Sequence, residues 1–113
     1  MNADLFAGIS VSDLETAVAW YERLLGSGPS FRPNDVEAVW EVADHGYLYV
    51  EQRPDRAGHA MVTLFVGDLE RRLTGAADRG VSPAADETYD NGVRKVTFRD
   101  HDGNEVAFGG GPA

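Results

Sequence analysis

The chain has 113 residues, 42% of them hydrophobic and 10% aromatic, a composition that suits one folded domain rather than a disordered chain. It contains no cysteine, which excludes disulfides, thiolate catalysis and Cys-based metal sites. Nineteen acidic residues against ten Lys plus Arg give a formal charge of −9, which argues against nucleic acid as a partner; the charge reads as solubility, or as weak steering of a cationic ligand.

The first segment, Leu5 to Val11, alternates: Leu5, Ala7, Ile9 and Val11 share one face of a strand, and Phe6, Gly8 and Ser10 the other. Ser12 with Glu15 reads as a capping box, which starts a helix at Asp13. Leu14, Ala17, Val18, Tyr21, Leu24 and Leu25 form its apolar stripe, and Gly26 ends it. Strand-like segments follow in SFRP, VEAVWEV and GYLYVEQ, then a polar link at residues 53 to 58, RPDRAG.

An offset of 55 residues then repeats the opening: Ile9, Val11, Asp13, Leu14 and Glu15 match Leu64, Val66, Asp68, Leu69 and Glu70. The second helix has a thinner stripe of Leu69, Leu73, Ala76 and Ala77, ended by Gly80. A Pro- and Asp-containing stretch, VRKVTFR, a DHDG turn and NEVAFG complete the half, and Gly109 to Gly111 read as a flexible tail. Each half is thus βαβββ. One such unit leaves its sheet half covered, so two must cooperate to bury a core. The pattern predicts one domain over residues 1–113, with modules at about 4–52 and 58–110.

No apolar run approaches the roughly 20 residues that span a bilayer, and MNADLFAG lacks a basic region followed by an apolar one. A cytoplasmic chain with no membrane partner is expected.

A tandem βαβββ with V-x-D-L at each strand-to-helix junction and D-x-D-G-N before the last strand resembles the vicinal oxygen chelate superfamily. That group includes glyoxalase I, extradiol dioxygenases, and fosfomycin- and bleomycin-resistance proteins; the resemblance spans Leu5 to Gly110. It implies an α+β fold in which two tandem modules form a curved, incompletely closed mixed sheet around a central cavity, helices outside. It also implies a homodimer. Metal-dependent members take ligands seven residues before each junction Asp and seven after the Asp that opens D-x-D-G-N. Those offsets fall on Phe6, Met61 and Ala107. Phe and Ala offer no lone pair, and a thioether suits Cu(I) rather than Zn, Mg, Mn or Fe(II). A shift of two residues lands on Asp4, His59 and Glu105, but moves each position by about 6.8 Å along its strand. The expectation is therefore no metal and no other cofactor.

Parity from Phe6 and Met61 then gives the residues facing the implied cavity. Tyr47, Tyr49 and Glu51 share that face in GYLYVEQ. If DHDG is a four-residue hairpin loop, Phe98 pairs with Glu105 and Val96 with Ala107, which brings Phe98 to the face as well, and Arg94 by the same parity. Alternation does not fix the side taken by Trp40, which is counted with the wall. The predicted ligand-binding set is Phe6, Trp40, Tyr47, Tyr49, Met61 and Phe98, an apolar lining of the kind small-molecule sites have. The alternative is that these aromatics fill a closed core.

No catalytic residue is assigned. Glu51 and Glu105 are the carboxylates of cavity parity, fit either for acid/base work or for a solvated rim. His45 and His101 fall in turns and read as surface residues. The functional expectation is a metal-independent protein that binds or sequesters an aromatic or amphipathic small molecule. A metal-independent lyase or isomerase using a cavity Glu or Tyr is one alternative. A degenerate member with a closed cavity, acting through protein contacts, is the other.

Overall fold

A computed structural model describes residues 2–112. The first module runs β1 (Leu5–Val11), α1 (Leu14–Leu25), β2 (Phe31–Asn34), β3 (Glu37–Ala43) and β4 (Gly46–Gln52). A single 3-10 turn, Pro54–Arg56, opens the linker. The second module runs β5 (Met61–Phe65), α2 (Leu69–Asp78), β6 (Ala85–Thr88), β7 (Arg94–Arg99) and β8 (Glu105–Gly110). Each module folds into its own four-stranded sheet, ordered β1-β4-β3-β2 and β5-β8-β7-β6. The two sheets do not close into a barrel. In each, the first strand lies parallel to the last and the other pairs are antiparallel, so the helix serves as the crossover. No helix among the described residues is long and apolar enough to cross a membrane.

The core sits on the helix side of both sheets. Ile9, Val11, Leu48 and Val50 meet Leu14, Val18, Tyr21 and Leu24 of α1, and the cluster continues into Val96, Phe98, Val106 and Phe108. Trp20, which the stripe of α1 did not include, is also buried and packs edge-on against Tyr21 at 4.8 Å. The cap of α1 differs by one residue from the expected box. Asp13 is the N-cap, accepting from the Thr16 N–H at 2.9 Å, while the Ser12 hydroxyl turns away to Asp102. The helix closes on Gly26, whose N–H donates to Glu22 at 2.8 Å. In α2 Ala76 is fully buried, Leu69 and Leu73 pack partly, and Ala77 is exposed.

The turn after β7 holds the modules together. It runs from Asp100 to Asn104, one residue longer than expected, because Asn104 is fully buried and bonded four ways. Its amide donates to Ser10 O at 2.8 Å and Asp100 Oδ2 at 2.9 Å. Its Oδ1 accepts from Gly58 N at 3.1 Å and Ala60 N at 3.0 Å. Asp100 also accepts from the Tyr21 hydroxyl at 2.9 Å, and Asp102 from the Ser12 N–H at 3.0 Å. Burial first, then the charge of Asp100, pushes the Tyr21 phenol well above its ordinary range, so it remains a donor. Arg79 adds a second tie, donating through Nε to Arg23 O at 2.5 Å at the C-terminal end of α1.

The C-terminal glycines correct another expectation. Gly109 and Gly110 belong to β8 and are buried, paired with Phe65 and Arg94 respectively. A Cβ on Gly110 would stand 3.0 Å from Leu69 Cδ2, so the bare strand lets α2 pack closely.

Candidate functional site

Each sheet buries one face under the helices and leaves the other open. On the first, β1 places Phe6, Gly8 and Ser10 beside Tyr47, Tyr49 and Glu51 of β4, residue opposite residue. Period-2 alternation causes this, since Ile9 and Val11 and the facing Leu48 and Val50 go to the core. Phe6 stacks on Tyr47 with ring centroids 4.6 Å apart and planes 12° off parallel; Tyr49 lies 6.4 Å from Phe6, tilted by 60°. The Tyr49 ring lies over Gly8 so closely that a Cβ there would sit 2.6 Å from the phenol. Gly8 is thus what permits the ring to lie flat on β1. Partial desolvation, then the carboxylates of Glu41 and Asp4, raises the Tyr47 pKa and keeps the hydroxyl protonated.

The open face of the second sheet carries Met61, Thr63 and Phe65 of β5 beside Glu105, Ala107 and Gly109 of β8, followed by Arg99, Thr97 and Lys95 of β7. The two faces do not cover one another within a chain. Phe6, Met61 and Phe65 remain 48%, 75% and 68% exposed, each far more than a core position tolerates.

Phe6, Tyr47, Tyr49 and Met61 therefore lie where parity put them, on open faces. Trp40 and Phe98 do not. Trp40 is 2% exposed, pairs with Leu48 on the core side, and donates its indole N–H to Ser27 O at 2.9 Å. Phe98 is 1% exposed and packs edge-on against Phe108 at 5.8 Å. The extra loop residue explains the reversal. With Asn104 in the turn, Arg99 rather than Phe98 faces Glu105, and Thr97 rather than Val96 faces Ala107. Arg94 moves to the helix side by the same slip. Its guanidinium is gripped by Asp86 at 2.7 and 2.9 Å and by Glu70 at 2.6 Å, which raises its pKa further. Of the two arginines that line the depression of about 670 Å3 at the start of α2, Arg94 is thus committed to carboxylates, and Arg71 has no ion pair among the described residues.

The carboxylates singled out from sequence are engaged at the rim. Glu105 pairs with Arg99 at 3.0 Å, and Glu51 lies 3.7 Å from Arg53. The residues at the family's metal positions do not fit a divalent ion, since Phe6 and Ala107 have no donor atom and Met61 only a thioether. The shifted set does not assemble either. Asp4 is bonded to His45 Nδ1 at 2.7 Å, Glu105 to Arg99, and His59 is exposed. Among the described residues no three His, Asp or Glu side chains are grouped to hold a metal.

One feature of the site escaped the sequence reading. Gly8 and Ser10, with Asp55, Arg56, His59 and Ala60, line an open pocket of about 440 Å3 where β1 meets the linker. It adjoins the aromatic shelf, because Gly8 belongs to both. Arg56 of RPDRAG was its signal; what hid it was that the linker read as a mere connection.

The Glyoxalase/Bleomycin resistance protein/Dioxygenase superfamily model matches residues 5–108. A crystal structure of a glyoxalase/bleomycin resistance protein from Catenulispora acidiphila superposes with a TM-score of 0.95 at 53% identity, covering 98% of this chain and 100% of that one. A bleomycin resistance determinant encoded on the transposon Tn5 gives 0.80 at 20% identity, with 99% and 100% covered. A bleomycin-binding protein complexed with bleomycin gives 0.76 at 21%, with 97% and 98% covered. At those two identities the likeness concerns the fold. The search of curated proteins returned no match. The tandem modules, the family match along nearly all of the chain, and the close superposition on a relative half identical in sequence agree: the chain belongs to the glyoxalase/bleomycin resistance protein/dioxygenase superfamily.

Proposed function

We propose that the protein is a metal-independent, cytoplasmic homodimer that binds a small aromatic or amphipathic compound on its open sheet faces. The shelf of Phe6, Tyr47 and Tyr49 carries this reading. Three rings are held half-exposed on a rigid strand pair, and a planar ligand stacks there with little ordering cost. Carbon and thioether groups at Phe6, Met61 and Ala107 keep such a site dry, where a metal-dependent relative needs nitrogen and oxygen donors.

A second copy is the natural cover for both faces. Phe6, Phe31, Met61 and Phe65 form exposed apolar surface, and β1 and β5 are each an unpaired sheet edge. The faces also differ in charge. The first carries Glu37, Glu41 and Glu51; the second carries Lys95, and Arg99 that is already paired with Glu105. One chain's first face laid over its partner's second face brings Lys95 toward the acidic face, twice in a two-fold dimer.

Calorimetric titration with 2-naphthol and related neutral planar compounds tests the binding. Saturable one-site binding, weakened about tenfold in Tyr49→Ala, is expected from the loss of one stacked ring. An absence of heat throughout a broad panel at millimolar concentration would sink the proposal.

A further inference from the structure

The pocket beside the shelf gives the ligand's polar end a chemistry. We infer that the bound compound is an aromatic anion, its ring on Phe6, Tyr47 and Tyr49 and its carboxylate or equivalent acid group against Arg56, His59 and Ser10. This rests on the binding function proposed above and narrows its ligand class.

Two observations carry it. The first is that Arg56 has no ion pair among the described residues, in a chain where acids outnumber Lys and Arg nineteen to ten. Arg32, Arg72, Arg94 and Arg99 each hold a carboxylate within 3.0 Å. Arg23, Arg71, Arg79 and Lys95 also lack an ion pair among the described residues, but of the unpaired cations Arg56 alone lines the pocket beside the shelf. A guanidinium left open beside a pocket of ligand size, with a hydroxyl and an imidazole on the same wall, is a donor set that suits an anion.

The second is that the linker presenting these groups is fixed. The Arg53 N–H donates to Val11 O at 2.9 Å and the Arg56 N–H to Arg53 O at 3.0 Å. Gly58 and Ala60 both donate to Asn104 Oδ1. The carbonyl of Asp102 fills the space where a Cβ on Gly58 would lie, 2.5 Å away. A segment anchored before, within and after the 3-10 turn does not lose much freedom when a ligand arrives. The pocket contains one opposing charge, Asp55, next to Arg56 in sequence. Asp55 weakens the anion site without abolishing it, and this makes its removal informative.

The experiment is a titration of the full chain with three probes of one ring system: 2-naphthoate, 2-naphthol and 2-naphthylmethylammonium. Naphthoate should bind about tenfold more tightly than naphthol, the gain of one charge-assisted contact, and the ammonium compound more weakly than either. Arg56→Gln should bring the naphthoate-to-naphthol ratio close to one, and Asp55→Asn should increase it. Circular dichroism of both variants confirms the fold, which neither exposed side chain holds together. Binding of all three probes with equal affinity, or a ratio unmoved by Arg56→Gln, overturns this inference and leaves the binding function standing. Failure of all three to bind overturns both.

Discussion

Asn104→Ala is the sharpest test of how the two modules are joined. The substitution removes three bonds to neutral backbone groups, at Ser10, Gly58 and Ala60, and one to the Asp100 carboxylate. At about 1 kcal/mol for each neutral bond and about 2 for the charged one, the gross loss is about 5 kcal/mol. Water reaching the part-buried linker N–H groups recovers some of this, which leaves a loss of about 3–4 kcal/mol. The melting temperature should fall by roughly 12–16 °C, at about 4 °C per kcal/mol for a domain of this size. Urea unfolding followed by tryptophan emission reads the first module, because Trp20 and Trp40 are both buried there. Circular dichroism reads both modules, so divergence of the two curves would show them uncoupling. Asn104→Asp sharpens the test. It retains the acceptor for Gly58 and Ala60 but sets an oxygen against Asp100 Oδ2, where the amide stood at 2.9 Å. The folded variant then holds a proton that the unfolded chain releases, so its stability should rise as pH falls through the carboxylate range. A loss below about 1 kcal/mol in Asn104→Ala would refute the view that this side chain joins the modules.

Trp40→Ala and Phe98→Ala should each cost about 3–5 kcal/mol in denaturant melts, as core truncations do, and leave naphthol affinity unchanged in the folded fraction. A selective loss of binding would return either ring to the site. Wild-type stability should fall on acidification from about pH 4 downward. Hydrogen bonds to Thr16, Arg32, Arg72 and Arg94 lower the pKa values of Asp13, Glu15, Asp68 and Asp86 below their unfolded values. Their contribution is complete above the unfolded pKa and is lost as pH drops through the folded one; melts at pH 7, 5, 4 and 3 measure this loss, and a flat profile would contradict it. Sedimentation should give twice the 12.2 kDa chain mass, and Met61→Asp, which buries a charge under the partner, should give monomers. An unchanged sedimentation coefficient in Met61→Asp would remove the second open face from the interface.

What the sequence disclosed and what it concealed have one physical cause. Alternation and helical stripes are local, so β1, α1 and the repeat could be read directly, and Phe6, Tyr47, Tyr49 and Met61 came out on the correct faces. Phe98 failed because a strand's parity after a turn depends on the length of that turn. Nothing in D-H-D-G-N announces that Asn104 is drawn inward by Ser10, Gly58 and Ala60, partners more than forty residues distant. Trp40 was ambiguous because both its neighbours on the same face, Ala38 and Val42, are small enough for either side. The glycines at 109 and 110 looked like a tail because the reason for them, the packing of Leu69 and Phe65, lies on other elements. Arg56 was hidden likewise: its role depends on which strand the linker is bonded beside.

The place of β8 in its sheet sets the order in which the second half can form. Although last in sequence among the eight strands, it lies between β5 and β7. While a ribosome is still making residues 105–110, β5 therefore has no neighbour to pair with, and Met61, Leu64 and Phe65 hang on an isolated strand. The first half has all four strands of its own sheet, but the Tyr21 hydroxyl and the carbonyl of Ser10 await Asp100 and Asn104. The pairing of β5 must wait for β8, and until then the nascent protein carries an unsatisfied apolar strand that invites contact with its neighbours on the same message.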